Sequence, residues 1–507
     1  MGLWSFYFLA KLYLYFRGFI RFDFFLNLLF LVFLIIPFSK QLKRHHKSLA
    51  VVKFSASAVL SLLLLWHDSW LPSLWDSINF VEQGGMPSRE YVYRFLLGFF
   101  NLWEVAVLAA ILVFCMLVRN RIRLTPVVVV LLLIVPLREF GQHRGEGGLD
   151  AFYRSESARV IRLDKVKQGS PDFDIIILHI CSLAWDDLKA VAMEDSAFFK
   201  QFNYVFTNFN SVTSYSNPSA IRLLRADCGQ SSHDALYNEV PEKCYLFDAL
   251  RGQGYKTYFT LNHDGTYGHF ATEVKHLGHL DEPILPTGLP AQAYNFDGSP
   301  IYDDYGVLEK WWKMRQEGKS RTAAVYYNTI SMHDGHHWVG EKDWWKRNSL
   351  EEYKEFAQKL FADIRKFSDL VASSGRNAVI IFVPEHGLSL RGSTLQAPGL
   401  RDIPLPPITI VPAAVKLVGK GWNAAPVQTQ VISTPVSYLA LSYILASFLE
   451  RNPFAPDGFK SQEIIHHIPE TDFVAENQGV RIVKKGPDYL FYGKEKKWIT
   501  LSAKSVM

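Results

Sequence analysis

Apolar and polar positions divide this chain into two regimes. Over the first 140 residues Leu, Phe, Val and Ile dominate, in stretches at about 4–20, 23–38, 49–66, 92–118 and 124–137. A helix crossing a bilayer core needs roughly 20 mostly apolar residues, so the pattern predicts a transmembrane α-helical region of about five helices over residues 1–140. The first stretch carries Lys11 and Arg17 and fits an interfacial helix as well. No small-residue cleavage site follows it, so it does not read as a removable signal peptide. Lys40, Lys43, Arg44 and Lys47 separate the second and third stretches, and Arg119, Arg121 and Arg123 the fourth and fifth. Basic loops of this kind stay on the cytoplasmic side. Trp66, Trp70 and Trp75 then form an interfacial belt on the far side, and the chain leaves the fifth stretch outside the cytoplasm. Arg17 and Arg21 run mildly against this count, because their turn would be external.

Residues 141–172 are charged and contain Gly, and read as a linker that includes a short amphipathic helix on the membrane surface. From residue 173 short apolar runs alternate with helical periods. Asp174–Ile180 reads as a buried strand, Ser182–Met193 as a helix, and Tyr255–Leu261 and Ala323–Thr329 as strands. Ser349 and Glu352 form a capping box for a helix that Gly375 closes. Ala378–Val383 is a further strand, Thr434-Pro435 starts another helix, and RIVKK and YLFYG around Gly-Pro-Asp form a terminal hairpin. Alternation of this kind predicts an α/β domain over 173–507, a mostly parallel sheet between helices.

Ligands of such sheets bind beyond the carboxyl ends of the strands. Cys181, His263 with Asp264, His333 with Asp334, and Glu385-His386 all fall at or just after strand ends. Thiolate, imidazole and carboxylate together suit Zn²⁺, and a catalytic zinc keeps a position for substrate or nucleophile. The bland readings are real competitors. An isolated Cys like Cys181 is most often a small buried hydrophobe, and His179 fits a core or supporting role. Glu385-His386 could be a solvated turn, His336 and His337 compete with His333, and Arg401 fits an ion pair as well as an anion clamp.

In NSVTSYSNPSAIRLLRADCG, Pro218 after Asn217 predicts a helix running to about Arg225. A hydroxyl just before a helix start meets free N–H groups and the positive dipole end. Thr213, Ser214, Ser216 and Ser219 all qualify, and spacing does not choose among them. The net charge of +5 is modest for 507 residues and forms no long basic face, which excludes nucleic acid as a partner in favour of a lipid bilayer. Of four cysteines, Cys115 lies in an apolar run. Cys228 and Cys244 are close enough for a local disulfide if this region is outside the reducing cytoplasm, which agrees with the orientation drawn from the basic loops.

The runs ICSLAWDDL, NFNSVTSYSNPSAIRLLRADCGQSSH, CYLFDAL, FDGSPIYDD, VPEHG and GLRDIP together resemble the BcsG family, the cellulose phosphoethanolamine transferases of the alkaline-phosphatase-like group. The likeness covers the layout of the membrane stretches and nearly all of the outer domain. It implies a multi-pass protein of the bacterial inner membrane with a periplasmic catalytic domain. The implied reaction moves phosphoethanolamine from phosphatidylethanolamine to glucosyl 6-hydroxyls of a cellulose chain, beside the subunits of cellulose synthase. By the same resemblance Ser216 is the nucleophile with Tyr215 beside it. Cys181, Glu385, His386 and the Ser216 oxygen hold Zn²⁺. His333 and Arg401 serve the phosphoryl group, and Cys228 pairs with Cys244. The wider group more often has a Thr nucleophile, an acidic residue at the first strand and an Asp-His pair. The segment near residue 150 is shorter than in the cellulose branch. Transfer to lipid A or another glycan, a sulfatase or phosphodiesterase activity, and a non-catalytic scaffold of the synthase complex are the competing readings.

Overall fold

The computed structural model describes residues 4–17, 20, 22–36, 46–69, 88–98, 102–118, 121, 123–140, 148–163, 172–419, 422, 428–455, 461–493 and 498–506. Lys40, Lys43, Arg44, Trp70, Trp75, Arg119 and the two ends of the expected linker lie outside these residues. The chain divides into two compact units, one formed by 1–80, 95–144 and 392–398, the other by 81–94, 145–391 and 399–507.

The first unit is helical. Its main elements are α1 (Trp4–Phe16), α2 (Phe24–Ile35), α3 (His46–Asp68), α5 (Leu102–Val118) and α6 (Thr125–Phe140); α4 (Arg89–Gly98) precedes α5, and the described residues of the stretch read at 92–118 are helical. Phe8, Leu12, Phe30, Leu31, Leu64, Val128 and Leu132 close its core. The outward faces are also apolar, with Phe25, Val51, Leu62, Trp103 and Leu117 exposed. Lys11, which breaks the first apolar stretch, is buried; its Nζ lies 2.8 Å from Asp68 and 2.9 Å from Asn27 Oδ1. A charge inside an apolar bundle persists when it is paired in this way. Among the described helices, only the window Val51–Asp68 of α3 is long and apolar enough to cross a membrane; Phe24–Ile35, Trp103–Val118 and Thr125–Pro136 are apolar but shorter.

The second unit is built on an eight-stranded sheet. Its strands are β1 (Phe173–Ile180), β2 (Tyr204–Phe206), β3 (Lys256–Leu261), β4 (Pro283–Ile284), β5 (Ala323–Thr329), β6 (Asn377–Pro384), β7 (Ala414–Val418) and β8 (Gln430–Ile432). They lie in the order β8-β2-β7-β6-β1-β5-β3-β4. The run β6-β1-β5-β3-β4 is parallel throughout, and β2 pairs parallel with β8. Only β7 opposes its neighbours, which makes the expected mostly parallel sheet a mixed one. All eight residues of β1 are buried. Ile175 and Ile177 enter one core, and Ile176, Leu178 and Ile180 the other. A strand covered on both faces loses polar alternation, and DIIILHI reads accordingly.

Several local expectations shift. The helix read at Ser182–Met193 is confined to α8 (Trp185–Ala190), because Ser182 takes a positive φ of 58° and Ala184 is extended. The helix read from Thr434-Pro435 begins at Tyr438 instead. Val436 is held extended by a bridge to Phe209 and by hydrogen bonds with Asn208 and Asn210. The cap of Ser349–Ser373 is Asn348, whose side chain accepts from the Leu350 N–H, rather than Ser349. The expected terminal hairpin is part of a four-stranded antiparallel meander, Val474–Asn477, Val480–Lys485, Asp488–Tyr492 and Trp498–Leu501. Within the expected linker, α7 (Leu149–Ser157) is an ordered part of the second unit. Tyr153 donates to Glu476 there, and Ile161 N–H donates to the Asp227 carbonyl.

Candidate metal centre

Sheet register places the site. Ile180 of β1 pairs with Pro384 of β6 and with Thr329 of β5, so the next residues, Cys181 and Glu385-His386, leave adjacent strands side by side. Glu385 N–H donates to the Ile180 carbonyl, Cys181 N–H to the Thr329 carbonyl and Leu183 N–H to the His386 carbonyl. Gly387 follows for steric reasons: a Cβ there would lie 2.5 Å from Ala184 Cβ and 2.6 Å from Asp187 Oδ2. The buried Asp187 carboxylate accepts from the N–H groups of Leu388 and Leu390 and pins the outgoing loop.

One ligand atom each from Cys181, Glu385 and His386 lies within 4.8 Å of the others, and all three residues are buried. His386 Nδ1 donates to the Gly387 carbonyl at 2.9 Å, leaving the Nε2 lone pair for the cluster, 3.9 Å from Cys181 Sγ. Ser216 Oγ stands 3.5 Å from Cys181 Sγ and 3.4 Å from His386 Nε2. It begins α9 (Ser216–Leu224), so Tyr215 is the N-cap and Pro218 sits two residues further into the helix than expected. The free N–H groups of this first turn are set beside the cluster.

The other three hydroxyls point elsewhere. Thr213 donates to Asn477, and Ser214 to the Arg401 carbonyl. Ser219 donates to the Glu385 carbonyl and contacts Tyr438 and His179. Tyr215 donates to Asp402 at 2.7 Å. Arg401 reaches over the His386 ring, its Nη1 at 3.2 Å from Nδ1, and donates to Ser182 Oγ. His333 Nδ1 donates to the Asp334 carbonyl, so Nε2 keeps its lone pair. Burial and the charge of Arg401 pull His333 down to about 4, which holds it neutral.

Of the remaining rim residues, Asp264 caps the Thr266 turn and takes no place in the cluster. His337 stacks on Trp344, and His336 meets the Phe356 ring edge-on. His263 acts at one remove. Its Nδ1 accepts from Gly265 N–H, so Nε2–H donates to Asn328 Oδ1, which turns the Asn328 amide to donate to Glu385 Oε1 at 2.5 Å. His179 contacts Tyr326 and Ser219, and burial holds it at about 3, neutral beside Glu385. Ser182 and Asn328 carry no motif of their own. Ser182 borders Cys181, but nothing in the composition of β5 marks Asn328.

The donor set fits a cation. Glu385 Oε2 is buried with no hydrogen-bond partner, a costly arrangement unless something charged faces it. Burial, and then the Glu385 charge, push the Cys181 thiol up to about 12, and burial raises Glu385, while Arg401 opposes both. One guanidinium does not balance a thiolate and a carboxylate; a soft-to-borderline dication held by S, N and O ligands would.

Two family models cover the chain: the Cellulose biosynthesis protein BcsG N-terminal domain over residues 4–137 and its C-terminal domain over 139–498. The chain belongs to the BcsG family. Cellulose biosynthesis protein BcsG of Escherichia coli strain K12 is 32% identical over 95% of this chain and 92% of its own length. That of Salmonella typhimurium strain LT2 is 31% identical over 96% and 94%. Solved structures are more distant. An alkaline phosphatase superfamily protein from Vibrio parahaemolyticus gives a TM-score of 0.47 at 13% identity, covering 71% of this chain and 88% of that one. The C-terminal periplasmic domain of E. coli EptC, solved in complex with Zn, gives 0.45 at 14%, covering 62% and 92%. Family membership rests on the family models and the curated relatives.

Proposed function

We propose that this protein is a zinc-dependent phosphoethanolamine transferase of the bacterial inner membrane, acting in the periplasm. Its donor is phosphatidylethanolamine, and its acceptors are the glucosyl 6-hydroxyls of a cellulose chain emerging from cellulose synthase. The observation that carries the reading is one hydroxyl, Ser216 Oγ, set at a helix N-terminus within 3.5 Å of both Cys181 Sγ and His386 Nε2. Family membership supplies the cellulose context.

Cys181, Glu385 and His386 would hold the zinc ion, with Ser216 completing the set. When bound, zinc supplies Lewis acidity that favours the alkoxide and polarises phosphoryl oxygen. In the first half-reaction Ser216 Oγ attacks phosphorus as its proton departs. The bond from phosphorus to the glycerol oxygen breaks, and diacylglycerol leaves with a proton. The product is a phosphoethanolamine-serine ester, which divides one displacement into two. In the second, the 6-hydroxyl oxygen attacks phosphorus, the bond to Oγ breaks, and Ser216 recovers its proton. His333, neutral with a free Nε2 lone pair, moves the proton between attacking and leaving oxygens. Arg401 and the free N–H groups of α9 balance phosphoryl charge, and Tyr215 lines the entry to Ser216. The apolar outward faces of the helical unit suit a protein that stays in the bilayer with its lipid donor.

Incubating the full chain with phosphatidylethanolamine vesicles and cello-oligosaccharides tests the acceptor. Phosphoethanolamine on C6, located by tandem mass spectrometry, is the expected product. Modification of added lipid A with no change to the oligosaccharide would replace the cellulose assignment.

A further inference from the structure

The segment just ahead of the fourth apolar stretch belongs to the second compact unit and reaches the loop that carries His333. Ser88 N–H donates to the Phe296 carbonyl at 3.0 Å, and the Tyr91 hydroxyl donates to Asp334 Oδ2 at 3.2 Å. The Tyr91 ring packs 5.3 Å from Phe296, and Phe296 in turn stacks on His333 at 5.3 Å with an interplanar angle of 23°. Burial, with Asp334 adding to it, raises the Tyr91 hydroxyl, so it stays protonated and donates. Gly335 makes the approach possible. It has φ +76°, and a Cβ there would lie 2.4 Å from the Tyr91 ring. Asp334 is thus held from two sides, its carboxylate by Tyr91 and its carbonyl by His333 Nδ1. The latter bond is the one that sets the tautomer of His333. The Tyr91 ring and hydroxyl therefore fix both the face and the tautomer of the imidazole.

We propose that Tyr91, from the part of the chain matched by the N-terminal family model, is a positioning residue for His333. The site would then need this membrane-proximal segment in addition to the C-terminal domain. The assignment rests on the phosphoryl-transfer reading, with His333 as proton carrier. The full chain in detergent, given phosphatidylethanolamine vesicles, is followed for the rate of adduct formation on Ser216, alongside bound metal and thermal unfolding. Tyr91→Ala is expected to slow that rate at saturating lipid about tenfold or more, with half-saturation and metal content unchanged, as for a misplaced catalytic group. Tyr91→Phe, which keeps the ring and removes the hydroxyl that donates to Asp334, is expected to slow it about threefold at unchanged unfolding temperature. If both variants react at the wild-type rate, or if Tyr91→Ala loses metal along with rate, the positioning role is wrong. A wild type that takes no adduct would instead sink the transfer reading, and the assignment with it.

Discussion

In the proposed metal site Glu385 would offer one carboxylate oxygen to the cation, because the other is tied down through a chain of side chains. His263 donates to Asn328, and Asn328 donates to Glu385 Oε1, with the Gly265 N–H fixing the direction of every bond. Oε2 is then the oxygen without a partner. Groups that orient a ligand in this way are typically worth about 10- to 100-fold in metal affinity. His263→Ala should therefore weaken zinc binding by about that factor in a chelator competition while leaving Cys181 and His386 in place. Unchanged affinity would mean that Glu385 is oriented without this chain. The same scale separates the hydroxyls. Residue type and spacing leave Thr213, Ser214, Ser216 and Ser219 equivalent, and only the packing of Asn477, Arg401 and Tyr438 around the other three singles out Ser216.

At the scale of elements, two tethers hold the frame of the site. Arg315, in the helix Asp304–Glu317, and Arg376 both pair with Asp174 at the start of β1, and the Ala323 N–H of β5 donates to the same carboxylate. Arg315 and Asp174 are wholly buried, and removing one member of such a pair costs about 3–5 kcal/mol. Arg315→Ala should lower stability by about that amount in urea unfolding; a change under about 1 kcal/mol would show the pair to be replaceable. Cys228 and Cys244 form a disulfide with Cα atoms 5.0 Å apart across 16 residues. Replacing both with Ser should cost about 3 kcal/mol in the chain-entropy model, and unfolding that ignores reductant would contradict a stabilising bridge.

The strands and their rim residues were legible because they sit in uninterrupted apolar runs ended by polar residues. β5 is found at the expected bounds, and β1 and β6 each extend about one residue beyond theirs. Helix starts were less legible. Pro218 and Pro435 both read as prolines at or next to the first helical position, yet one is the third residue of α9 and the other precedes its helix in non-helical chain. Tertiary contacts, such as the bridge of Val436 to Phe209, decide such starts, and they leave no local trace. The reversal of β7 and the reach of Tyr91 are likewise long-range pairings.

At the scale of the whole molecule, the family match spans both the helical unit and the sheet unit. In the proposed topology, with the basic loops in the cytoplasm, the sheet unit would lie outside it, in a compartment where a disulfide such as Cys228–Cys244 persists. Protease added to intact spheroplasts should therefore digest residues beyond 172 and spare an epitope placed among residues 39–45; the reverse pattern would invert the topology. The central claim, that Ser216 is the group that carries phosphoethanolamine, is tested most directly by intact mass. The native protein exposed to phosphatidylethanolamine should gain one phosphoethanolamine, and Ser216→Ala should gain none. Equal labelling of Ser216→Ala would contradict the account.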